Sequence, residues 1–393
     1  MRLAAIYTLY GRRAGAELFV ERTLEEIGRQ APDWALTVFC NAQARDALRE
    51  RLPGVQAEYV PWLDRQWKKA AWLEFCSARE VRPDRFDAFW VPSGSASFPG
   101  RWKVPAVVTF LDMGGFLVRN RWSLRRALYC KHISMPRSLR RAAAFAAISR
   151  TTADDLARLF PDAPAARVIH LGVSPRAASA DPGDPRALIE RETGLKLDAI
   201  LFSPARTDYF GKGRDVLLRA YADYRRASQA PLPLLLPGPQ GEFHDRMLQD
   251  LSALGLEGQA LWPGRVSDDC IEAFYRISRA MILPSRTEGF GFPVLEAMER
   301  GVPVICSDAG SLPEVAGDAA LLVTTGRADE LTTAMLKLEQ EPSLREELIR
   351  KGHERCRAFT WDATARKYLA LFEETTAISA AGRPRGNTAG PPA

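Results

Sequence analysis

Short apolar runs alternate with helix-spaced segments along this chain, and the alternation runs through twice. In the first half, Leu3–Leu9, Leu36–Cys40, Ala88–Val91, Val104–Phe110, Ala142–Ser149 and Arg167–Val173 read as buried strands. Glu17–Arg29 and Ser149–Phe160 carry helical spacing, the former with Leu18, Leu24 and Ile27 apolar and Glu21, Glu25 and Glu26 polar. A stretch rich in Pro, Asp and Gly follows, at Pro175 and Asp181–Pro185. The pattern then restarts with strands at Ala199–Ser203, Pro233–Leu236, Ala260–Pro263, Ala280–Leu283, Val302–Ser307 and Ala320–Val323. Helices between them are expected at Arg214–Arg226, Ser267–Ile277, Pro293–Arg300 and Ala328–Gln340. Uninterrupted apolar strands separated by helices predict parallel sheets covered on both faces. The expected fold is therefore α/β, with two tandem Rossmann-like doubly wound domains, residues 1–174 and 175–360, facing a cleft. Open sheets of this kind bind ligands outside the carboxyl ends of their strands. The segment 377–393, rich in Ala, Gly and Pro, reads as a disordered tail.

With 393 residues the chain suits two domains, and no apolar run reaches the ~20 residues that a membrane-spanning helix needs. The first residues lack the apolar core of an export signal, so a cytoplasmic location is expected. Cys40, Cys76, Cys130, Cys270, Cys306 and Cys356 are scattered without a C-x-x-C pair, which suits free thiols. His132, His170, His244 and His353 show no zinc spacing. Residues 1–175 hold 27 Lys and Arg against 17 Asp and Glu, although the whole chain carries only +6. The excess concentrates in Arg119–Arg141, where Arg119, Arg121, Arg125, Arg126, Lys131, Arg137, Arg140 and Arg141 stand with no acid among them. Such a run is either a solvated helical face or a contact for an anionic surface, a phospholipid leaflet or a diphosphate-linked acceptor. A peripheral position on the inner face of the membrane would follow from the latter. No zinc-finger or RNA-binding spacing accompanies it, so no nucleic-acid partner is expected.

The chemistry concentrates in the second half. The strand Ala280–Leu283 runs through Pro284-Ser285-Arg286-Thr287 into Glu288-Gly289-Phe290-Gly291-Phe292, and a helix opens at Pro293. Glycines ahead of a helix N-terminus let backbone N–H groups approach an anion, and the helix dipole adds attraction. Glu288 precedes the helix and Glu296 lies about one turn inside it. Two carboxylates so placed can accept from hydroxyl groups of a ligand whose phosphates sit at the helix end. Phe290 and Phe292 suit packing better than ligand contact.

Glu288 and Glu296 stand in the E-x7-E spacing of the family 4 glycosyltransferases, and the run Glu288–Val323 resembles that family's donor-site signature. Three further landmarks fit in order: Pro204-Ala205-Arg206 with Lys212-Gly213, Leu234–Gly238, and Trp262–Ser267. The likeness is dense over Ala199–Phe372 and thinner before it. It implies the two-domain GT-B fold, with an acceptor-side first domain and a nucleotide-sugar-binding second one. The helix around Trp361–Phe372 resembles the family's terminal helix, so residues 361–376 would cross back to the first domain. By the resemblance, Arg206 and Lys212 would hold the donor diphosphate, Glu288 the hydroxyls of the transferred sugar, and Glu296 the ribose. Backbone groups at Gly289, Phe290, Gly291 and Phe292 would line the sugar pocket. Gly238 would end a donor-side strand, and Val266 would sit near the base. Gly11–Glu17 resembles the glycine-containing loop of the first domain, with Gly15 facing acceptor and phosphates; its two glycines are four apart, which is not a G-x-G-x-x-G fingerprint.

Family members also carry a His–Asp pair near the sugar. Here Leu111 stands in place of the histidine, while Asp112 is kept. Catalysis would then rest on Glu288, Arg206, Lys212 and Asp112, with the leaving diphosphate as base. No D-x-D motif occurs, so metal independence is expected, with no cofactor beyond a nucleotide-diphosphate sugar. The function implied is a retaining hexosyltransferase of cell-surface polysaccharide synthesis, such as lipopolysaccharide, acting on a glycan or lipid-linked acceptor. The wording around Gly289–Met298 and Ser311–Ala320 resembles members that use GDP-mannose. Leu111 keeps open a catalytically silent sugar-nucleotide-binding protein, and another GT-B enzyme such as an epimerase is the remaining alternative.

Overall fold

Thirteen strands occur among the described residues of the computed structural model, which are 1–11, 15–92, 101–117, 124–173, 183–204, 209–240 and 243–381. The first seven are β1 (Arg2–Tyr7), β2 (Ala35–Cys40), β3 (Gln56–Tyr59), β4 (Ala88–Val91), β5 (Ala106–Phe110), β6 (Ala144–Ala147) and β7 (Arg167–Val168). They form one parallel sheet in the order β3-β2-β1-β4-β5-β6-β7. The other six are β8 (Ile200–Phe202), β9 (Leu234–Leu235), β10 (Ala260–Leu261), β11 (Ser278–Leu283), β12 (Val304–Ser307) and β13 (Ala320–Val323). These form a second parallel sheet, ordered β10-β9-β8-β11-β12-β13. Both orders are those of a doubly wound Rossmann-like sheet, and each reverses once, between β1 and β4 and between β8 and β11. The α/β class expected from the alternation is the class observed.

Both sheets are apolar for a common reason. Strands covered by helices on both faces must bury every side chain, and β4, β5, β8 and β12 are buried throughout. The polar edge strand β3, Gln-Ala-Glu-Tyr, has no apolar run for sequence reading to detect, because its side chains are partly or fully exposed. The helix Ala42–Arg51 is likewise too polar to announce itself; it starts where Asn41 Oδ1 accepts from the Ala44 N–H at 3.2 Å.

The chain divides into two compact units. Met1–Ile148, Ala153–Ile169 and the segment from Trp361 onward make the first; Ser149–Thr152 and His170–Thr360 make the second. The expected boundary at 174/175 lies outside the described residues, as does the tail beyond residue 381. The last helix runs Trp361–Ala380, four residues past its expected end. It belongs to the first unit for a physical reason: its aromatics complete that core. Tyr368 packs on Trp90 at 5.1 Å between ring centroids and on Phe19 at 6.0 Å, and its hydroxyl lies 2.9 Å from Thr109 Oγ1. No helix among the described residues is long and apolar enough to cross a membrane.

Candidate functional site

The second sheet brings Lys212 and Glu288 together at its switch point. Lys212 follows β8 and Glu288 follows β11, the two strands between which the order reverses. Lys212 Nζ donates to Glu288 Oε1 at 2.7 Å, and Ser285 Oγ donates to the same oxygen at 2.8 Å. The pair is mostly shielded, with 23% of the lysine side chain and 12% of the glutamate exposed. Arg286 ties the two loops. Its N–H donates to Gly211 O at 2.9 Å, and its guanidinium grips Asp215 through two bonds of 2.7 Å. Gly213 makes this closeness feasible. It sits at φ +63°, and a Cβ there would stand 2.0 Å from Pro284 O, so the loops could not approach if any side chain occupied the position.

The loop after Glu288 turns into the helix Phe292–Glu299 with Gly291 at its cap, at φ +95°. A Cβ on Gly291 would meet Leu312 Cδ2 at 2.7 Å. Gly291 has no side chain with which to cap the helix, and Pro293 occupies its first turn. Phe290 is buried. Its ring packs against Phe292, Phe359 and His170 at 5.5, 5.9 and 6.3 Å, so this side chain holds the loop's shape. Glu296, one turn into the helix, accepts from the Tyr275 hydroxyl at 3.2 Å. Burial raises its carboxyl above the ordinary value, and Arg300 and Tyr275 offset only part of that. Arg300 donates to Glu296 O at 2.9 Å and pairs with Glu272 at 2.6 Å, fixing this side of the helix.

Gly238 and Val266 lie beyond β9 and β10, the strands flanking β8 on its other side. The Gly238 N–H donates to Gly264 O at 2.9 Å, and Trp262 Nε1 donates to Gly238 O at 2.9 Å. Val266, two residues past Gly264, is half-buried just before the Ser267-capped helix Asp268–Ile277. Lys212, Gly238, Val266 and the Glu288–Glu296 segment thus all follow the carboxyl ends of strands of one sheet. Arg206 lies outside the described residues.

Glu314 is a residue that sequence reading did not single out. Both its oxygens accept from the Arg150 N–H at 2.9 Å, and His170 Nε2 lies 2.6 Å from Oε1. Burial opposes the charge, but His170 and the N–H groups of Arg150 and Thr151 outweigh it and hold the carboxyl below its ordinary value. Thr151 Oγ1 donates to Gly310 O at 3.0 Å, so Ser149–Thr152 is stitched to the loops beside Glu288. A carboxylate held at a helix start by chain 164 residues away leaves no local sequence signal.

In the first unit, Gly15 opens the helix Gly15–Gln30 after β1, and Asp112 follows β5, where its Oδ1 accepts from the Gly114 N–H at 2.8 Å. Leu111 beside it is half-buried. Sequence reading also missed Lys69. Its Nζ donates to Thr8 Oγ1 at 3.2 Å just beyond β1, and burial pulls its pKa down to about 8 against the opposing charge of Glu17. Of the basic run, Arg119, Arg121 and the side chain of Arg126 lie outside the described residues. Arg125, Lys131, Arg137 and Arg140 are exposed, and Arg141 is half-buried. No cluster of three or more metal-ligating side chains occurs among the described residues.

Two family models match the chain. One described as "Glycosyltransferase Family 4" covers residues 14–177, and one described as "Glycosyl transferases group 1" covers 187–355. The O-antigen chain mannosyltransferase B of Escherichia coli is 36% identical over 146 residues, which is 37% of this chain and 38% of that protein. A D-inositol 3-phosphate glycosyltransferase of Saccharomonospora viridis is 31% identical over 236 residues, 57% of this chain and 54% of that one. The matches therefore span about half or less of these curated relatives. Among solved structures, Anabaena Alr3699/HepE in complex with UDP and glucose aligns with a TM-score of 0.73 at 17% identity, over 95% of this chain and all of that one.

Proposed function

The chain belongs to the family 4-like glycosyltransferases of GT-B fold, and from that premise we propose that it is a retaining hexosyltransferase using a nucleoside-diphosphate sugar. The observation that carries this reading is the Lys212–Glu288–Ser285 cluster at the switch point of the second sheet, beside the start of a helix whose cap is Gly291. A cation, a carboxylate and the backbone N–H groups of a helix start at one strand edge meet the needs of a diphosphate and a sugar together.

The roles follow from the chemistry. Lys212, with Arg206, neutralises the diphosphate, and the N–H groups at Gly289–Phe292 add dipolar stabilisation as charge builds on the leaving group. Glu288, held by Ser285, accepts from hydroxyls of the sugar. Glu296 accepts from the ribose hydroxyls, Val266 borders the base, and Gly238 shapes the loop beside it. The bond from the anomeric carbon to the diphosphate breaks as the acceptor oxygen bonds to that carbon. The acceptor proton passes to the departing diphosphate, on the face it has just left, so configuration is retained. Asp112 and Gly15 serve the first domain's side of the reaction. No metal or cofactor is assigned a part.

The donor proposed is GDP-mannose, and the acceptor a glycan or lipid-linked sugar in cell-surface polysaccharide synthesis. The similarity to an O-antigen mannosyltransferase supports this choice. Leu111 favours a second reading, a silent sugar-nucleotide binder, because leucine neither donates to a sugar hydroxyl nor moves a proton. The deciding experiment incubates the protein with GDP-mannose, UDP-glucose and a dTDP-hexose and measures release of the nucleoside diphosphate. Turnover with GDP-mannose above the others supports the proposal. Stabilisation by a sugar nucleotide without turnover supports the silent reading.

A further inference from the structure

A cavity of about 770 Å3 opens in the first unit at the edge opposite Gly15 and Asp112. Six cations border it: Arg79, Arg82, Arg101, Lys103, Arg137 and Arg141. Three of the segments that supply them run into the amino ends of adjacent strands. Arg82 precedes β4, Arg101 and Lys103 precede β5, and Arg137 and Arg141 precede β6. All strands of this sheet are parallel, so their amino ends share one edge. Gly15 and Asp112 follow the carboxyl ends of β1 and β5, at the other edge.

The charge is built in by packing. Trp102 turns inward, its Nε1 donating to Ser77 Oγ at 2.7 Å and its ring meeting Phe89 at 5.1 Å. Arg101 and Lys103, its neighbours in the chain, are both exposed and line the cavity. Only two acids line the cavity, Glu74 and Asp84. Asp84 pairs with Arg82 at 3.2 Å, while Glu74 accepts from Tyr129 at 3.1 Å and lies 3.9 Å from Arg137. Among the described residues, no carboxylate ion-pairs with Arg79, Arg101, Lys103 or Arg141. The crowding is felt: burial first, and then the charges of Arg101, Arg137 and Arg140, hold the Arg141 guanidinium below its ordinary value against Glu74 alone. Phe75, 70% exposed, supplies an apolar wall.

We propose that this cavity binds a ligand bearing two or more phosphoryl charges, at a site separate from the Lys212–Glu288 cluster. Guanidinium groups converging from three segments suit phosphate oxygens, and a concavity of this size accepts a small phosphorylated molecule or the headgroup of an anionic lipid. The site does not depend on the reaction proposed above. Its cations come from a part of the chain that carries none of the donor-binding residues.

The test uses the full chain and two probes. Inorganic pyrophosphate is titrated calorimetrically, and vesicles of phosphatidylcholine with phosphatidylglycerol are sedimented with the protein. The proteins compared are wild type, the pair Arg101→Ser/Arg141→Ser, the charge-matched pair Arg226→Ser/Arg350→Ser, and Lys212→Ala. The expected result is a tenfold or greater loss of binding in the Arg101/Arg141 pair, with the charge-matched pair behaving as wild type and Lys212→Ala losing only the pyrophosphate bound at its own site while its vesicle binding is unchanged. Loss with pyrophosphate identifies a soluble phosphorylated ligand, and loss with vesicles alone identifies a lipid headgroup. The proposal is overturned if neither probe binds, if both arginine pairs lose binding equally, or if only Lys212→Ala does. A pair unfolded by circular dichroism is replaced by Lys103→Ser, for which a threefold or greater loss is expected and wild-type binding overturns the proposal.

Discussion

Lys212 and Glu288, 76 residues apart, share a hydrogen bond of 2.7 Å at the only place where strand order reverses in the second sheet. The cation is therefore already held beside the carboxylate before any donor arrives. Glu288→Gln keeps the shape and the Ser285 contact but gives up the charge. Transfer is expected to fall at least 100-fold while nucleotide affinity stays within about threefold, because the roles assigned here put the nucleotide on Lys212 and Glu296. Lys212→Ala should weaken donor binding and turnover together. Calorimetry with nucleoside diphosphate and single-turnover transfer separate the two, and a reversed pattern means the glutamates have been assigned the wrong way round.

Glu296 gives a pH signature. Its carboxyl is raised by burial, and it must be ionised to accept from two ribose hydroxyls. Nucleotide affinity should therefore rise as pH climbs through that raised value, and Glu296→Ala should lower affinity at every pH. Glu296→Gln should flatten the rise. A wild-type-like slope in Glu296→Gln would assign the titration to another group.

Gly213 tests how tightly the two loops are set. Alanine there needs a left-handed backbone at φ +63° and room that Pro284 O already fills. Gly213→Ala should cost roughly 2 kcal/mol or more in stability and impair donor binding beyond that loss. Denaturant unfolding with and without nucleotide measures both. A variant as stable as wild type with unchanged affinity would show that the loops yield easily.

Much of this site was legible in the sequence because it is local. Glu288, Gly291 and Glu296 lie within nine residues, in the loop after a strand and in the helix that the loop opens, and the signals of all three are short-range. The buried strands announced themselves for the same reason, through unbroken apolar runs. What escaped depends on distance or polarity. The edge strand Gln56–Tyr59 carries no apolar run. Lys69 matters only because folding sets it against Thr8. The cations of the first-unit cavity come from three separated segments, and only Arg137 and Arg141 belong to the run that charge counting finds.

Glu314 predicts an acid-labile second unit. Its carboxyl is held below its reference value of 4.5, so the stability it adds is present above about that pH and is lost as pH falls through the depressed folded value. Glu314→Gln should cost about 1–3 kcal/mol at neutral pH, since the Arg150 N–H and His170 lose a charged partner in a shielded place. The gap in melting temperature between wild type and variant should narrow on acidification below about pH 4.5. A gap that stays constant with pH would mean that the loss is one of shape and not of charge.

Leu111 decides between the two functional readings. If transfer proceeds through charge stabilisation by Lys212, Arg206 and the Gly289–Phe292 backbone, the absent histidine is dispensable, and wild type should turn over GDP-mannose with full activity in EDTA. Leu111→His should then change the rate by less than about tenfold. If the protein is silent because it lacks a donor to the sugar, Leu111→His beside the retained Asp112 should create turnover where wild type has none, with nucleotide affinity unchanged. Strict dependence on manganese or magnesium would defeat the metal-free account in either case, since the cations and the helix end could not then be sufficient for the leaving group.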